Sequence, residues 1–143
     1  MKTNFVLDPH FKDVYKKRIG SNPILKKQFQ EKIHLFSENP NHDSLETHDL
    51  HILLKDLSSF ACNQYYRVVF KRIDAGTVIF IDLGNYHEID EFEGLDAAGQ
   101  LEAMNLKRRR EEIFEHSLEI ERALKAGKAE RHDVVSLFND LDN

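Results

Sequence analysis

Arg67 is the residue whose setting most suggests chemistry. It stands in a run of Tyr65, Tyr66, Arg67, Val68, Val69, Phe70 and Lys71, where strict alternation places Tyr66, Val68 and Phe70 on one face. Tyr65, Arg67, Val69 and Lys71 fall on the other. A guanidinium there can hold a phosphate through paired hydrogen bonds, or it can pair with a carboxylate such as Asp82. Three imidazoles lie nearby in sequence, His48, His51 and His87. Histidine serves as general base or acid near neutral pH and also as a metal ligand. The spacing of these three matches no standard metal-ligand motif, so no metal or other cofactor is expected. Tyr65, Tyr66 and Tyr86 could stack on nucleobases, although alternation turns Tyr66 towards the core. The cationic run Lys107 to Arg110 is followed at once by Glu111, Glu112 and Glu115, and reads as a helix surface laced with i,i+4 pairs.

These residues need a scaffold. Tyr65–Leu83 reads as a β-hairpin with β-branched and aromatic arms, reversing at Asp74, Ala75 and Gly76, where the glycine tolerates a positive φ. Upstream, Asn4–Leu7 is a candidate edge strand. A helix starts at Pro9 with Phe11, Val14, Tyr15 and Ile19 on one face, and ends at Gly20. Asn22 and Pro23 are an N-cap and a first helical residue, opening a second helix with a stripe of Leu25, Phe29, Ile33 and Phe36 that stops before Asn39 and Pro40. His48–Leu54 and Ser58–Cys62 are two further strand candidates. The order of strand, helical hairpin and adjacent strands predicts an α+β domain, with the helices on one face of an antiparallel sheet.

After Gly84 the character changes. Residues 88–99 are acidic and hold Gly94, Ala97, Ala98 and Gly99, as a linker does. Gln100–Ala126 is a predicted helix, with Leu106, Ile113, Ile120 and Leu124 on one face and Gly127 as its stop. Asp133–Leu141 places Val134, Phe138 and Leu141 at helical spacing. The predicted organisation is therefore a body over 1–92, a linker over 93–99 and a helical tail over 100–143.

The chain has 143 residues and 41% hydrophobic content, which suits one domain with an appendage. No apolar run approaches the length of a membrane span, and the first residues lack the apolar centre of a signal peptide, so a cytoplasmic protein is expected. The single cysteine, Cys62, cannot close an internal disulfide, and reads as a small buried apolar group. The net charge of -5 is unevenly spread: residues 1–90 carry 12 basic and 12 acidic side chains, and residues 91–143 carry 8 and 13. Residues 1–40 hold 8 basic against 4 acidic, so a basic helical hairpin meets an acidic tail in one molecule. That is either electrostatic complementarity or two solvated surfaces.

The run His48, Asp49, Leu50, then Leu57 to Phe60, then Tyr66 to Phe70, then Val78 to Gly84, closed by His87, Glu88 and Ile89, resembles the RelE/ParE superfamily of toxins from type II toxin–antitoxin modules. The resemblance covers roughly residues 1–90, and Phe11–Lys12, Asn22–Pro23 and Glu38–Pro40 fall where that family has its helical hairpin. It implies a small α+β fold whose RelE-type members cleave mRNA on the ribosome without a metal, and whose ParE-type members act on gyrase. It implies Arg67 and His48 as catalytic residues, with His87 and Tyr86 after the glycine, and substrate contacts from His51, Lys55 and Tyr65. Departures from the pattern stand at Ala61, where the family commonly has a cation, at Tyr86 in place of His or Arg, at Asp90 in place of a closing aromatic, and at Lys55–Asp56. The expectation is a toxin-family protein resembling ribosome-dependent mRNA endonucleases, weakened or restrained by its own tail. Its partners would be an antitoxin or that tail, then ribosome and mRNA, with a homodimer as a further form. The alternative is a non-catalytic module on the same fold that binds an antitoxin, gyrase or a second copy.

Overall fold

The computed structural model describes residues 3–49, 57–85, 115, 118–127 and 131–142. Along the chain come β1 (Asn4–Leu7), α1 (Pro9–Arg18), α2 (Pro23–Glu38), a 3-10 turn (Asp43–Leu45), β2 (His48–Asp49), β3 (Leu57–Ala61), β4 (Tyr66–Asp74) and β5 (Thr77–Asn85). A helix over residues 118–125, here α3, and α4 (Val134–Asp142) follow.

The helix starts are those the sequence specifies. Asp8 caps α1, its carboxylate accepting from the His10 backbone N–H at 2.9 Å, with Pro9 at the first helical position. Lys16, Lys17 and Arg18 occupy the last turn of α1, where cations favour the negative end of the helix dipole. Asn22 caps α2 by accepting from the N–H groups of Ile24 and Leu25 at 3.1 and 3.2 Å.

The five strands form one sheet in the order β1-β5-β4-β3-β2. Strands β2 to β5 run antiparallel to one another in succession. β1 joins at the edge in parallel, Asn4 opposite Thr77 and Leu7 opposite Phe80. The expected α+β arrangement holds, with this parallel edge strand added to the antiparallel meander. The β4–β5 turn is held by the Asp74 carboxylate, which accepts from the Gly76 N–H at 2.9 Å. The positive φ that Gly76 tolerates is not used there. Among the described glycines it falls at Gly127 (φ 73°), which ends α3 with its N–H on the Leu124 carbonyl at 3.1 Å. An Asx turn closes the hairpin without left-handed backbone.

Both sheet faces are covered. On the first, α1 and α2 bury an aromatic core in which Phe36 stacks on Phe60 at 4.6 Å and meets Phe70 edge-on at 5.2 Å, with Phe5 and Phe80 beside them. Tyr66 is half-buried against this core and Val68 and Phe70 are within it, as alternation requires. α4 belongs to the same core. Leu137, which the sequence analysis passed over, and Leu141 are both fully buried in it, while Val134 and Phe138 are partly so. The approach to α4 pairs with the free edge of β1: Phe5 and His132 exchange both N–H to carbonyl hydrogen bonds at 2.7 Å. Lys12 reaches Asp140 at 2.9 Å and Lys26 reaches Asp142 at 2.8 Å. The basic hairpin and this part of the acidic tail are thus complementary in contact.

The second face carries a smaller cluster of Val6, Leu57, Val69, Ile79 and Ile81, closed by Leu124 of α3 with Ile120 and Ile73 packed against it. Alternation predicted a charged outer side for Arg67, Val69 and Lys71. That side is buried, and at Val69 and Lys71 it meets α3 of the tail through Leu124 and Glu121. The division into 1–92, 93–99 and 100–143 turns on residues outside those described, as does the helical stripe at Leu106 and Ile113.

Candidate functional site

On the second face the register sets three rows across β3, β4 and β5. Ala61, Arg67 and Gly84 share one row, Ser59, Val69 and Asp82 the next, and Leu57, Lys71 and Ile79 the third. The small neighbours Ala61 and Gly84 leave space on either side of Arg67, so its long side chain lies along the sheet. The guanidinium is 1% exposed. Its Nε donates to the Ser59 hydroxyl at 2.9 Å, and its Nη2 donates to the Ser59 carbonyl at 3.2 Å and to the Glu46 carbonyl. The Glu46 carboxylate stands 4.0 Å from Nη1. Arg67 is therefore paired with Glu46 and Ser59, while Asp82, the carboxylate suggested by the sequence, meets Leu83 and His10. One Asp82 oxygen accepts from the Leu83 N–H at 2.8 Å and lies 3.1 Å from His10 Nε2. β1 ends opposite Phe80, which leaves the far part of β5 open to the start of α1, and that is how His10 reaches it.

Glu46 has a left-handed backbone, φ 49° and ψ 44°, at the end of the Asp43–Leu45 turn. A residue with a Cβ enters this region at a cost, and here the conformation aims both its carbonyl and its carboxylate at Arg67.

Lys71, four residues along on the same face, is a second buried cation. Its ammonium contacts Glu121 Oε2 of α3 at 2.9 Å. That hydrogen bond and the Lys71 charge hold the Glu121 carboxyl below its ordinary value, with Lys125 adding at 3.7 Å.

The other anticipated site residues divide as follows. His48 pairs in register with Ser59, so its backbone lies one strand beyond the partner of Arg67. His51, Lys55, Tyr86 and His87 lie outside the described residues. Tyr65 is 55% exposed in the turn before β4, where the Asn63 side chain accepts from the N–H groups of Tyr65 and Tyr66 at 2.8 Å. Cys62 is buried as expected, and burial pushes its thiol up to about 12. Sequence reasoning put Lys71 on the face of Arg67 without giving it a role, and passed over Glu46, Ser59 and Glu121 as site residues. The parity that Lys71 shares with Arg67 marks it as a second cation of that face. No local pattern marks Glu46 or Glu121, which meet the cations only through the fold.

Among the described residues no three His, Cys, Asp or Glu side chains gather as a metal would need, and no helix is long and apolar enough to cross a membrane.

No protein-family model matches the chain, and no curated protein matches it. Among solved structures it is similar to the Escherichia coli DinJ-YafQ toxin-antitoxin complex (10% identity over 64% of this chain and 100% of the other, TM-score 0.47). It is similar to a copper-bound mutant toxin from Helicobacter pylori (16%, covering 62% and 99%, TM-score 0.46). It is also similar to YoeB from Staphylococcus aureus, solved as a dimer (19%, covering 61% and 99%, TM-score 0.46).

Proposed function

We propose that this chain is a toxin of the RelE/ParE type whose candidate nuclease face is restrained by its own C-terminal tail, through α3. One observation carries the proposal: Arg67, the cation best matched to that family's motif, lies on the sheet face that α3 covers through Leu124 and the Glu121–Lys71 pair. The reaction such a face would serve is attack of a ribose 2′-oxygen on the adjacent phosphate, with a base to take the proton, cations to hold the charge that develops on phosphorus, and an acid for the leaving oxygen. Arg67 suits the second role and His48 the first. Ala61 in the row beside Arg67 supplies no second cation, which favours a weakened catalyst. The substrate would be mRNA on the ribosome, and the natural partner an antitoxin segment or the tail itself.

The test must spare α4, because Leu137 and Leu141 complete the main core and truncation after the body would remove them along with the cover. Glu121→Lys with Leu124→Asp drives α3 off and leaves residues 131–142 in place. If the proposal holds, this full-length variant arrests growth and cleaves translated mRNA where the parent does neither, and adding Arg67→Ala abolishes both. A folded, uncovered variant without toxicity or cleavage refutes the nuclease. The non-catalytic alternative is favoured by one observation, that Arg67 already donates to Ser59 and Glu46. It predicts that the same uncovered variant captures an antitoxin, gyrase or a second copy while cleaving nothing.

A further inference from the structure

The second face carries its cations in an unusual setting. Lys71 is 9% exposed, between Leu57 and Ile79 in register, on a surface whose other occupants are mostly aliphatic. If the face existed only to seat α3, an apolar residue at 71 opposite an apolar residue at 121 would serve as well or better, since the desolvation of a buried ion pair offsets much of its attraction. Arg67 shows the same pattern. A carboxylate from outside the sheet, that of Glu46, stands 4.0 Å from it while remaining 65% exposed, at the end of a turn where Glu46 holds a left-handed backbone and its carbonyl accepts from the guanidinium. Among the described residues, each of these cations of β4 thus has a carboxylate near it from a flanking segment, Glu46 on the turn and Glu121 on α3. The two cations stand four strand residues apart, about 13 Å, further than one phosphate spans and close to the separation of phosphates two nucleotides apart on one strand.

We propose that Lys71 is a second phosphate-binding residue of this face, and that Glu46 and Glu121 are internal counter-anions which single-stranded RNA displaces when it binds along Arg67 and Lys71. The inference rests on the nuclease reading for its choice of RNA and names the regulation of that same face: opening is an exchange of carboxylate for phosphate. A polyanion competes for the cations that hold α3, so binding the substrate and lifting the cover are one event. Exchange of this kind depends on salt, because every phosphate neutralised by a protein cation releases counterions.

The test uses the full chain and a fluorescent single-stranded RNA octamer. Glu46→Gln with Glu121→Gln removes both carboxylate charges with little change in shape, and should tighten RNA binding at least tenfold at low salt. Adding Lys71→Gln should return the affinity to the parent level and lower the slope of log K against log salt by about 1. The inference is overturned if the folded double variant binds RNA no better than the parent, if the gain survives Lys71→Gln, or if a mononucleotide gains as much as the octamer. An equal gain for double-stranded DNA overturns the assignment to RNA. Should the double variant not fold, the parent protein decides: excess octamer at low salt must speed amide exchange in residues 118–125, and unchanged exchange overturns the inference. Binding that depends on Lys71 without any cleavage upholds this inference while the nuclease reading falls. Cleavage by an uncovered variant that persists after Lys71→Gln does the reverse.

Discussion

The two faces of one sheet are buried in different ways. The first is sealed by aromatic side chains: Phe36 touches Phe5, Phe60, Phe70 and Phe80, and α4 adds Leu137 and Leu141 to the same core. The second is sealed by aliphatic contacts interrupted by Arg67, Lys71 and Asp82, each with a polar partner from outside the strand that bears it. Apolar burial grows with area and loses nothing to salt. Ion pairs near a surface weaken as salt rises or as a partner is protonated. The first face is therefore built to stay shut, and the second can open under conditions that leave the first intact. The tail contributes to both, α4 to the permanent side and α3 to the releasable one.

The contrast can be broken most directly on the first face. Phe36→Ala should cost about 3–5 kcal/mol, as large-to-small changes in a packed core do, and urea denaturation would reveal it. A loss below 1 kcal/mol would deny that this face carries the stability. Leu137→Ala should cost about 2–5 kcal/mol. Leu124→Ala, at the edge of the smaller cluster, should cost less and should raise amide exchange in β4 without global unfolding. Equal losses at the two leucines would erase the distinction between α4 and α3. Arg67→Met should cost about 1–3 kcal/mol, from the donors lost to Ser59 and Glu46, again measured in urea. No change there would mean that the guanidinium is not engaged as the distances indicate.

The smallest effect is in pH. Lys71 holds the Glu121 carboxyl below its ordinary value of 4.5, so in the folded state this group binds its proton less readily than in the unfolded chain. Its contribution to holding α3 is full above pH 4.5 and is lost as pH falls through the lowered value. Amide exchange in residues 118–125 should therefore quicken in acid before the first face melts, and Glu121→Gln should flatten that dependence. A Glu121→Gln protein with an unaltered profile would remove the pair from the account of the cover.

Much of the first face could be read in advance. The helix start at Pro9, the cap at Asn22, the stripe of Phe29, Ile33 and Phe36 and the inward row of Val68 and Phe70 are local patterns, and the structure keeps them. The second face could be read only in part. Alternation put Arg67 and Lys71 on one side of β4, but it could not say that the side was covered, because the covering residues lie some fifty positions away. The contribution of His48 was tied to a resemblance, and the sheet places its backbone opposite Ser59.

What the sequence by itself determined is what short-range physics controls: where helices begin and end, which side of a strand is apolar, and that a basic hairpin and an acidic tail coexist in one chain. Tertiary structure alone decided the partners. It brought Glu46 to Arg67 and Glu121 to Lys71, set His10 against Asp82, and split the tail between two faces. Periodicity reports the direction a side chain leaves the backbone, whereas the identity of a counter-ion depends on how distant segments pack.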